Sequence, residues 1–463
     1  MSKSRIMKDV ENIQKLLEKH GIDSKTFCFA PYVTLDLDQS GKMFSCYRGK
    51  DPIGNWKEND ILKELDNDKY KKLRDDLYNG IKADNCRSCW VAEKHKSISP
   101  RFNFFSDLKT RSKKGLINLI NKIKENHTKS DITEIRRTEI RTSSLCNLQC
   151  MHCSPDSSTQ WINFLKDEKV FSKFKRHAWK PPEGVTHENI HIHYKDSLTG
   201  ESKHPKILEK VMSNSGVIQF SGGEPLLDPQ HYDWLKYFIE TSQTAKDMHL
   251  DYNSNLNIPN IEKFIPLWKK FKGIEFRVSV DSAPSTYEYF RRKGNIKLVE
   301  KNIGLIQHEL KYPHLKFYGS ITFSMFAALR WKEIMNWWIE NKLMFHSSLI
   351  LPSATSAVYL PNSLKQKAAT EMRWVMENIS EILPEDYPNR KIYIEDVKDS
   401  TDNCLQFMMN SKMIGERLMP DSIGYFKMLD EHTDLKLLDY FPEFQSFYSV
   451  DKSTNTMQNS IED

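Results

Sequence analysis

No run of about 18 apolar residues occurs in the chain, and no basic stretch leads into a short apolar segment near its start. Neither a membrane span nor a secretory signal is supported, so a reducing cytosol is the expected compartment. Charge of one sign is scarce too. With 68 Lys and Arg against 62 Asp and Glu, the net charge is +6 over 463 residues, which predicts no nucleic-acid-binding stripe. Cysteine is also sparse, at eight residues. In a reducing compartment disulfides are excluded as the default, and clustered thiols read as metal ligands.

What is present falls into about three units by length. Residues 7 to 20 carry apolar side chains at helical spacing and stop at Gly21. "FCFAPYVTLDLDQSGKMFSCYRG" reads as a hairpin turning at "DQSG", with Cys28 and Cys46 near its outer ends. A charged helical stretch then leads to "CRSCW", which holds Cys86 and Cys89. Residues 96–135 are basic and helix-prone and read as a connector. From there strand-like runs alternate with helical patterns: "EIRRTEIRTSS", "GVIQFSGG", "MHLDYNSN", "IEFRVSVDS", "FYGSITFSM" and "MFHSSLILP". Repeated βα units imply a parallel sheet clad in helices. An insertion at about 168–213 contains His187, His191 and His193 and is long enough to serve as a substrate-facing flap. Beyond residue 355 the pattern is helical and ends in the polar tail "DKSTNTMQNSIED", expected to fray.

The densest chemistry is "CNLQCMHC", where Cys146, Cys150 and Cys153 stand as C-x3-C-x2-C just after the first strand of the alternating region. Soft thiolates favour zinc, copper(I) or iron–sulfur centres, and a loop at the C-terminal end of a barrel strand lies where such folds build their sites. Three ligands to a four-iron cube leave one iron open to a further molecule. A structural zinc knuckle completed by His152 or the isolated Cys404 is the bland alternative. For Cys28, Cys46, Cys86 and Cys89, a closed zinc site and a closed iron–sulfur cluster are both compatible with the spacing. His187, His191 and His193 read as surface histidines, Cys404 as a packing thiol, and Tyr252 and Tyr287 as neighbours of the site.

C-x3-C-x2-C after a first strand, with "GGEP" at Gly222 to Pro225 after the second, resembles the signature pair of the radical S-adenosylmethionine enzymes. The resemblance covers roughly residues 135 to 355. It implies a 4Fe-4S cluster on Cys146, Cys150 and Cys153 whose open iron chelates S-adenosyl-L-methionine. Reductive cleavage would give a 5'-deoxyadenosyl radical that abstracts a hydrogen atom from substrate. Further positions carry over singly. Gly222, Gly223 and Glu224 would meet the methionine amino group, and paired glycines suit close backbone approach. Asn253 and Asn255 would lie near the cofactor. Ser279 and Arg291, with Arg292 as rival, would hold the methionine carboxylate, for which a guanidinium fork is suited. His152 stands where the family usually has an aromatic residue against the adenine.

The first 95 residues resemble the SPASM or twitch modules that carry auxiliary 4Fe-4S clusters, although such modules usually follow the barrel. This implies a second cluster on Cys28, Cys46, Cys86 and Cys89, closed by four thiolates. The expected architecture is therefore α/β: a module at 1–95, a connector at 96–135, a partial (β/α)6 barrel at 136–355 and a helical region at 356–463. The expected activity is oxidoreductase or transferase-type modification of a peptide or protein side chain, fed by a low-potential donor such as flavodoxin or ferredoxin. A sugar or nucleotide derivative is the rival substrate, and a non-catalytic iron–sulfur or zinc scaffold or electron carrier is the rival class. No membrane and no nucleic-acid partner is expected.

Overall fold

A computed structural model describes residues 3–94, 98–108, 113–131, 134–141, 143–195, 212–213, 215–241, 245–311, 313–349, 353–409 and 415–448. The polar tail and the middle of the insertion lie outside the described residues. Strands are β1 (Thr34–Leu37), β2 (Lys42–Phe44), β3 (Gly54–Asn55), β4 (Arg137–Arg141), β5 (Gln149–Cys150), β6 (Val217–Ser221), β7 (His249–Ser254), β8 (Gly273–Ser279), β9 (Arg291–Arg292), β10 (Leu315–Phe323) and β11 (Met344–Leu349).

Nine of them form one mixed, mostly parallel sheet in the order β11-β10-β8-β7-β6-β4-β1-β2-β3. The six strand-like runs of the sequence are β4, β6, β7, β8, β10 and β11, all parallel and adjacent in chain order. The two faces of this sheet differ. Side chains alternate along a strand, and the face covered by helices carries a cross-strand row in which Phe220, Tyr252, Phe276 and Phe317 are register partners. Their successive ring centroids lie 5.5, 5.0 and 5.1 Å apart, stacked. The opposite face is polar, with Arg137, Gln219, Asp251, Glu275 and Arg277 at the alternate positions. A parallel sheet ordinarily reads apolar on both sides, so this charged face departs from the usual pattern.

The hairpin expected near the N-terminus is β1–β2, but it does not stand apart. β1 pairs with β4 in parallel, Thr34 opposite Arg137 through Leu37 opposite Ile140, so the N-terminal segment extends the central sheet. The helix Lys3–Lys19 buries Ile6, Val10, Ile13 and Leu17 along one stripe. It closes at Gly21, at φ 76°, with Ile22 N–H donating to Leu17 C=O at 3.0 Å. That stripe packs on Phe102, Phe105, Leu116, Ile120 and Ile123 of the helices Pro100–Leu108 and Lys113–Glu125 in one apolar cluster. The basic connector is thus apolar on its inner side.

After β11 come the helices Asn362–Ile382, Arg390–Met409 and Gly415–Glu431. The last of these packs on the Glu168–His177 helix of the insertion, with Phe174 and Tyr425 rings 6.0 Å apart. Cys404 is fully buried in this helical region, and burial pushes its thiol up to about 12. Among the described residues no helix is long and apolar enough to cross a membrane.

Candidate functional site

The cysteine loop leaves β4 at its C-terminal end and is pinned at both flanks. On one side β5 pairs antiparallel with β9, setting Cys150 opposite Arg291 and Gln149 opposite Arg292. Met151 N–H adds a bond to Phe290 C=O at 3.0 Å, and Tyr425 Oη donates to Met151 C=O at 2.9 Å. On the other side the "GGEP" turn is stitched to the loop by backbone: Gly223 N–H to Ser143 C=O at 2.7 Å, Glu224 N–H to Leu145 C=O at 2.8 Å. A Cβ on Gly223 would clash with the Leu145 carbonyl oxygen, and Gly222 takes φ 125°. The close approach that requires Gly223 is therefore to the cysteine loop itself.

Cys146 and Cys150 are buried around Leu148, and the half-buried Cys153 packs against them. The Cys153 thiol donates a hydrogen bond to Cys150, which lowers Cys150 against its burial and raises Cys153. Burial, then the charge of Cys150, pushes Cys146 up to about 12. Polar hydrogens surround the sulfurs. Leu148 N–H and Asn255 Nδ2 point at Cys146 Sγ from 3.5 and 3.8 Å, and Arg291 Nη1 points at Cys150 Sγ from 3.6 Å. Donors to sulfur stabilise thiolate and tune any cluster it carries.

Arg291 and Arg292 are neighbours on one strand and face opposite ways. Arg291 is buried beside Cys150 and hydrogen-bonds Asp281, while its Nε has no partner among the described residues. Burial works against the charges of this pair, yet each partner offsets it, holding Asp281 below the usual carboxylate range and Arg291 above its own. Arg292 turns to the C-terminal region, donating to Thr433 Oγ1 at 3.1 Å. His152 stacks on Phe290 at 5.2 Å and brings Nε2 to 3.6 Å from Asp281. Burial pushes its imidazole below the ordinary histidine range, against the opposing charge of Asp281.

Glu224 is buried and accepts from Leu226 N–H, Ser254 Oγ and Asn255 N–H at 3.2, 2.8 and 2.7 Å. Burial nonetheless raises it to about 7. Its carboxylate serves to tie the "YNSN" turn to "GGEP". That turn forces Leu256 to φ 49°, a strained value for a bulky residue. Asn255 completes the link, donating to Asn147 Oδ1 at 3.0 Å as well as facing Cys146. Asn253 and Ser279 stand on the sheet, in register with Arg277 and Ser320. Tyr287 is buried within the electrostatic reach of Arg291 and Cys150. Tyr252 is on the helix-covered face, bonded to His231 and Trp268 at 3.0 Å each, and so is removed from the site.

Asp281 is the residue the sequence reading passed over. It sat inside "VSVDS", and only the pairing of β5 with β9 brings a cation to it. Asp156, three residues past Cys153, is a second such residue. Its carboxylate takes Trp179 Nε1 at 2.8 Å and the Tyr194 hydroxyl, both from the insertion, and its carbonyl takes Gln39 Nε2 at 2.7 Å.

Cys28, Cys46, Cys86 and Cys89 line one recess with Arg48 and Arg101. Burial raises all four thiols, Cys46 and Cys86 to about 12. Ala30 N–H donates to Cys28 Sγ at 3.4 Å. The buried Arg101 guanidinium, held by Glu93, supplies positive charge at its wall. Among the described residues no three Cys, His, Asp or Glu side chains converge on a point that one metal ion could occupy. The insertion histidines accordingly do not gather: His187 lies edge-on to Phe171, and His191 and His193 are exposed.

No protein-family model matches the chain, and no curated protein matches it. Among solved structures it is similar to native anSMEcpe with bound AdoMet and Kp18Cys peptide, at 13% identity over 52% of this chain and 60% of that one, with a TM-score of 0.34. It is also similar to Streptococcus suis SuiB bound to precursor peptide SuiA, at 14% identity over 62% and 52% of the two chains, with a TM-score of 0.31. The matched region spans less than two thirds of each of those chains. Likeness at this level fixes neither substrate nor mechanism.

Proposed function

We propose that the chain is a radical S-adenosylmethionine enzyme. In this reading Cys146, Cys150 and Cys153 hold a 4Fe-4S cluster with one iron left for the cofactor, and Cys28, Cys46, Cys86 and Cys89 hold a second, closed 4Fe-4S cluster. The observation that carries it is the grouping of Cys146, Cys150 and the half-buried Cys153 on the loop beyond β4, with donors to the Cys146 and Cys150 sulfurs from Leu148 N–H, Asn255 Nδ2 and Arg291 Nη1. When bound, the first cluster and its nucleotide supply one-electron cleavage of a sulfonium bond and hydrogen-atom abstraction from substrate.

The residues present fit that group. Arg291 keeps a buried Nε donor without a partner, which suits a carboxylate arriving beside Cys150. Asp281 fixes the guanidinium plane, and the flat His152 ring offers a surface for a purine. Glu224 and Asn255 lock the two turns that border the loop. Exclusion of water falls to the C-terminal helix, whose Tyr425 reaches Met151. For the N-terminal four, the shared recess brings four thiols and the cations Arg48 and Arg101 to one place, which suits a cluster closed by four thiolates. A peptide or protein side chain is the substrate class that the auxiliary module implies, with flavodoxin or ferredoxin as the electron source.

The test is anaerobic reconstitution followed by reduction in the presence of S-adenosylmethionine. The protein should hold about eight irons and release 5'-deoxyadenosine; changing Cys146, Cys150 and Cys153 to Ala should remove half the iron and all of the product. Unchanged iron and product in the triple variant would refute the assignment.

A further inference from the structure

On the polar face of the sheet most charges are matched. Arg137 lies 3.1 Å from Asp251, and Arg277 pairs with Glu275 and lies 3.9 Å from the same Asp251. At the β1 side the balance fails. There Asp36 of β1 and Glu139 of β4 are register partners on adjacent strands, which puts two side chains with the same orientation about 5 Å apart. Asp36 is 1% exposed and Glu139 8%. Glu139 accepts one hydrogen bond, from Ser221 Oγ at 3.2 Å. Among the described residues, neither carboxylate oxygen of Asp36 has a hydrogen-bond donor. The nearest cation to it among the described residues, Arg141 Nη2, stops at 4.0 Å on a side chain that is 38% exposed, too far for a hydrogen bond.

A buried carboxylate without donors costs stability, and a second carboxylate alongside adds repulsion. Burial and Glu139 push Asp36 well above the usual carboxylate range, as such crowding requires. Nothing in the packing needs this arrangement: Leu35 and Leu37, on either side of Asp36, already fill the apolar core. Position adds the second reason. Asp36 is close enough to Cys46 to raise that thiol, and Glu139 is on the strand that runs into the Cys146 loop. The pair therefore lies between the two cysteine groups, on the face that bears the polar side chains.

We propose that Asp36 and Glu139 are the anionic half of a substrate site, and that it takes a cation with at least two N–H donors, an alkylammonium or a guanidinium. Only the word substrate rests on the function proposed above; the cation site itself does not. Two carboxylates with free lone pairs in a desolvated wall accept such a group through charge-assisted hydrogen bonds, and an uncharged hydroxyl of the same length would leave one acid unpaired. On this assignment a lysine or arginine side chain, or another amine, is the part of the substrate held while chemistry proceeds near Cys146.

The test uses full-length reconstituted protein with n-butylammonium and methylguanidinium as probes and n-butanol as the uncharged control, read by calorimetry. Wild type should bind both cations and not the alcohol, and D36N and E139Q should bind the cations about ten- to a hundredfold more weakly. Without probe, D36N should melt at a higher temperature than wild type, because a buried acid crowded by a second one is gone. Should E139Q not fold, D36N alone decides. Equal cation binding by wild type and D36N, no cation binding at all, a lower melting temperature for D36N, or tighter binding of Mg²⁺ than of either organic cation would each overturn the assignment. Iron content and 5'-deoxyadenosine release, measured on the same wild-type preparation, report separately on the proposed function.

Discussion

Asp281 and Arg291 form the electrostatic centre of the cysteine site, and each is buried with the other as its counter-charge. Asp281→Asn would leave the guanidinium in a low-dielectric site without an anion, a loss of about 3–5 kcal/mol. Thermal unfolding of the apoprotein should show it, and an unchanged melting temperature would remove the pair from the account. Glu224 gives a pH signature. Its folded pKa of about 7 lies above the unfolded carboxyl value, so the protonated form is the one favoured by folding. The stability it contributes is fully present below about pH 4.5 and is lost as pH rises through 7. Relative to Glu224→Gln, wild type should lose about 2–3 kcal/mol between pH 5 and pH 8. A gap that stays constant across that range would show that Glu224 titrates normally.

At the level of elements, the six parallel strands were legible because each alternates apolar and polar residues, and a half-polar parallel sheet preserves that period. Pairings distant in sequence were not. The choice between Arg291 and Arg292 depends on a two-residue ladder with Gln149 and Cys150, more than a hundred positions earlier, which decides the side each arginine faces. The same holds for β1, whose place beside β4 turns the N-terminal hairpin into part of the central sheet. Tyr252 was misplaced for a related reason: one step along β7 moves a side chain from the polar face to the helix-covered one. The insertion was legible as extra length, but its attachment through Asp156 was not, since Trp179 and Tyr194 come from separate segments. Asp156→Ala removes the acceptor for both, so limited proteolysis between residues 168 and 195 should accelerate several-fold while the rest of the chain stays resistant. Cleavage at the wild-type rate would mean that apolar packing alone holds the insertion.

Across the whole molecule, two sets of cysteines occupy different parts of one sheet-centred body. Three sit on the loop beyond β4, and four line the recess that flanks the start of β1. Both sets combine buried thiols with a buried arginine, Arg291 at one and Arg101 at the other. The two differ in count. Three thiolates leave a corner of a four-iron cube available and four do not, so only the first set is expected to respond to S-adenosylmethionine. The measurement that tests this most directly is electron paramagnetic resonance on the reduced variant with Cys28, Cys46, Cys86 and Cys89 all changed to Ala. Its iron signal should shift when S-adenosylmethionine is added. A signal that is indifferent to the cofactor, or an iron-free protein, would contradict the account.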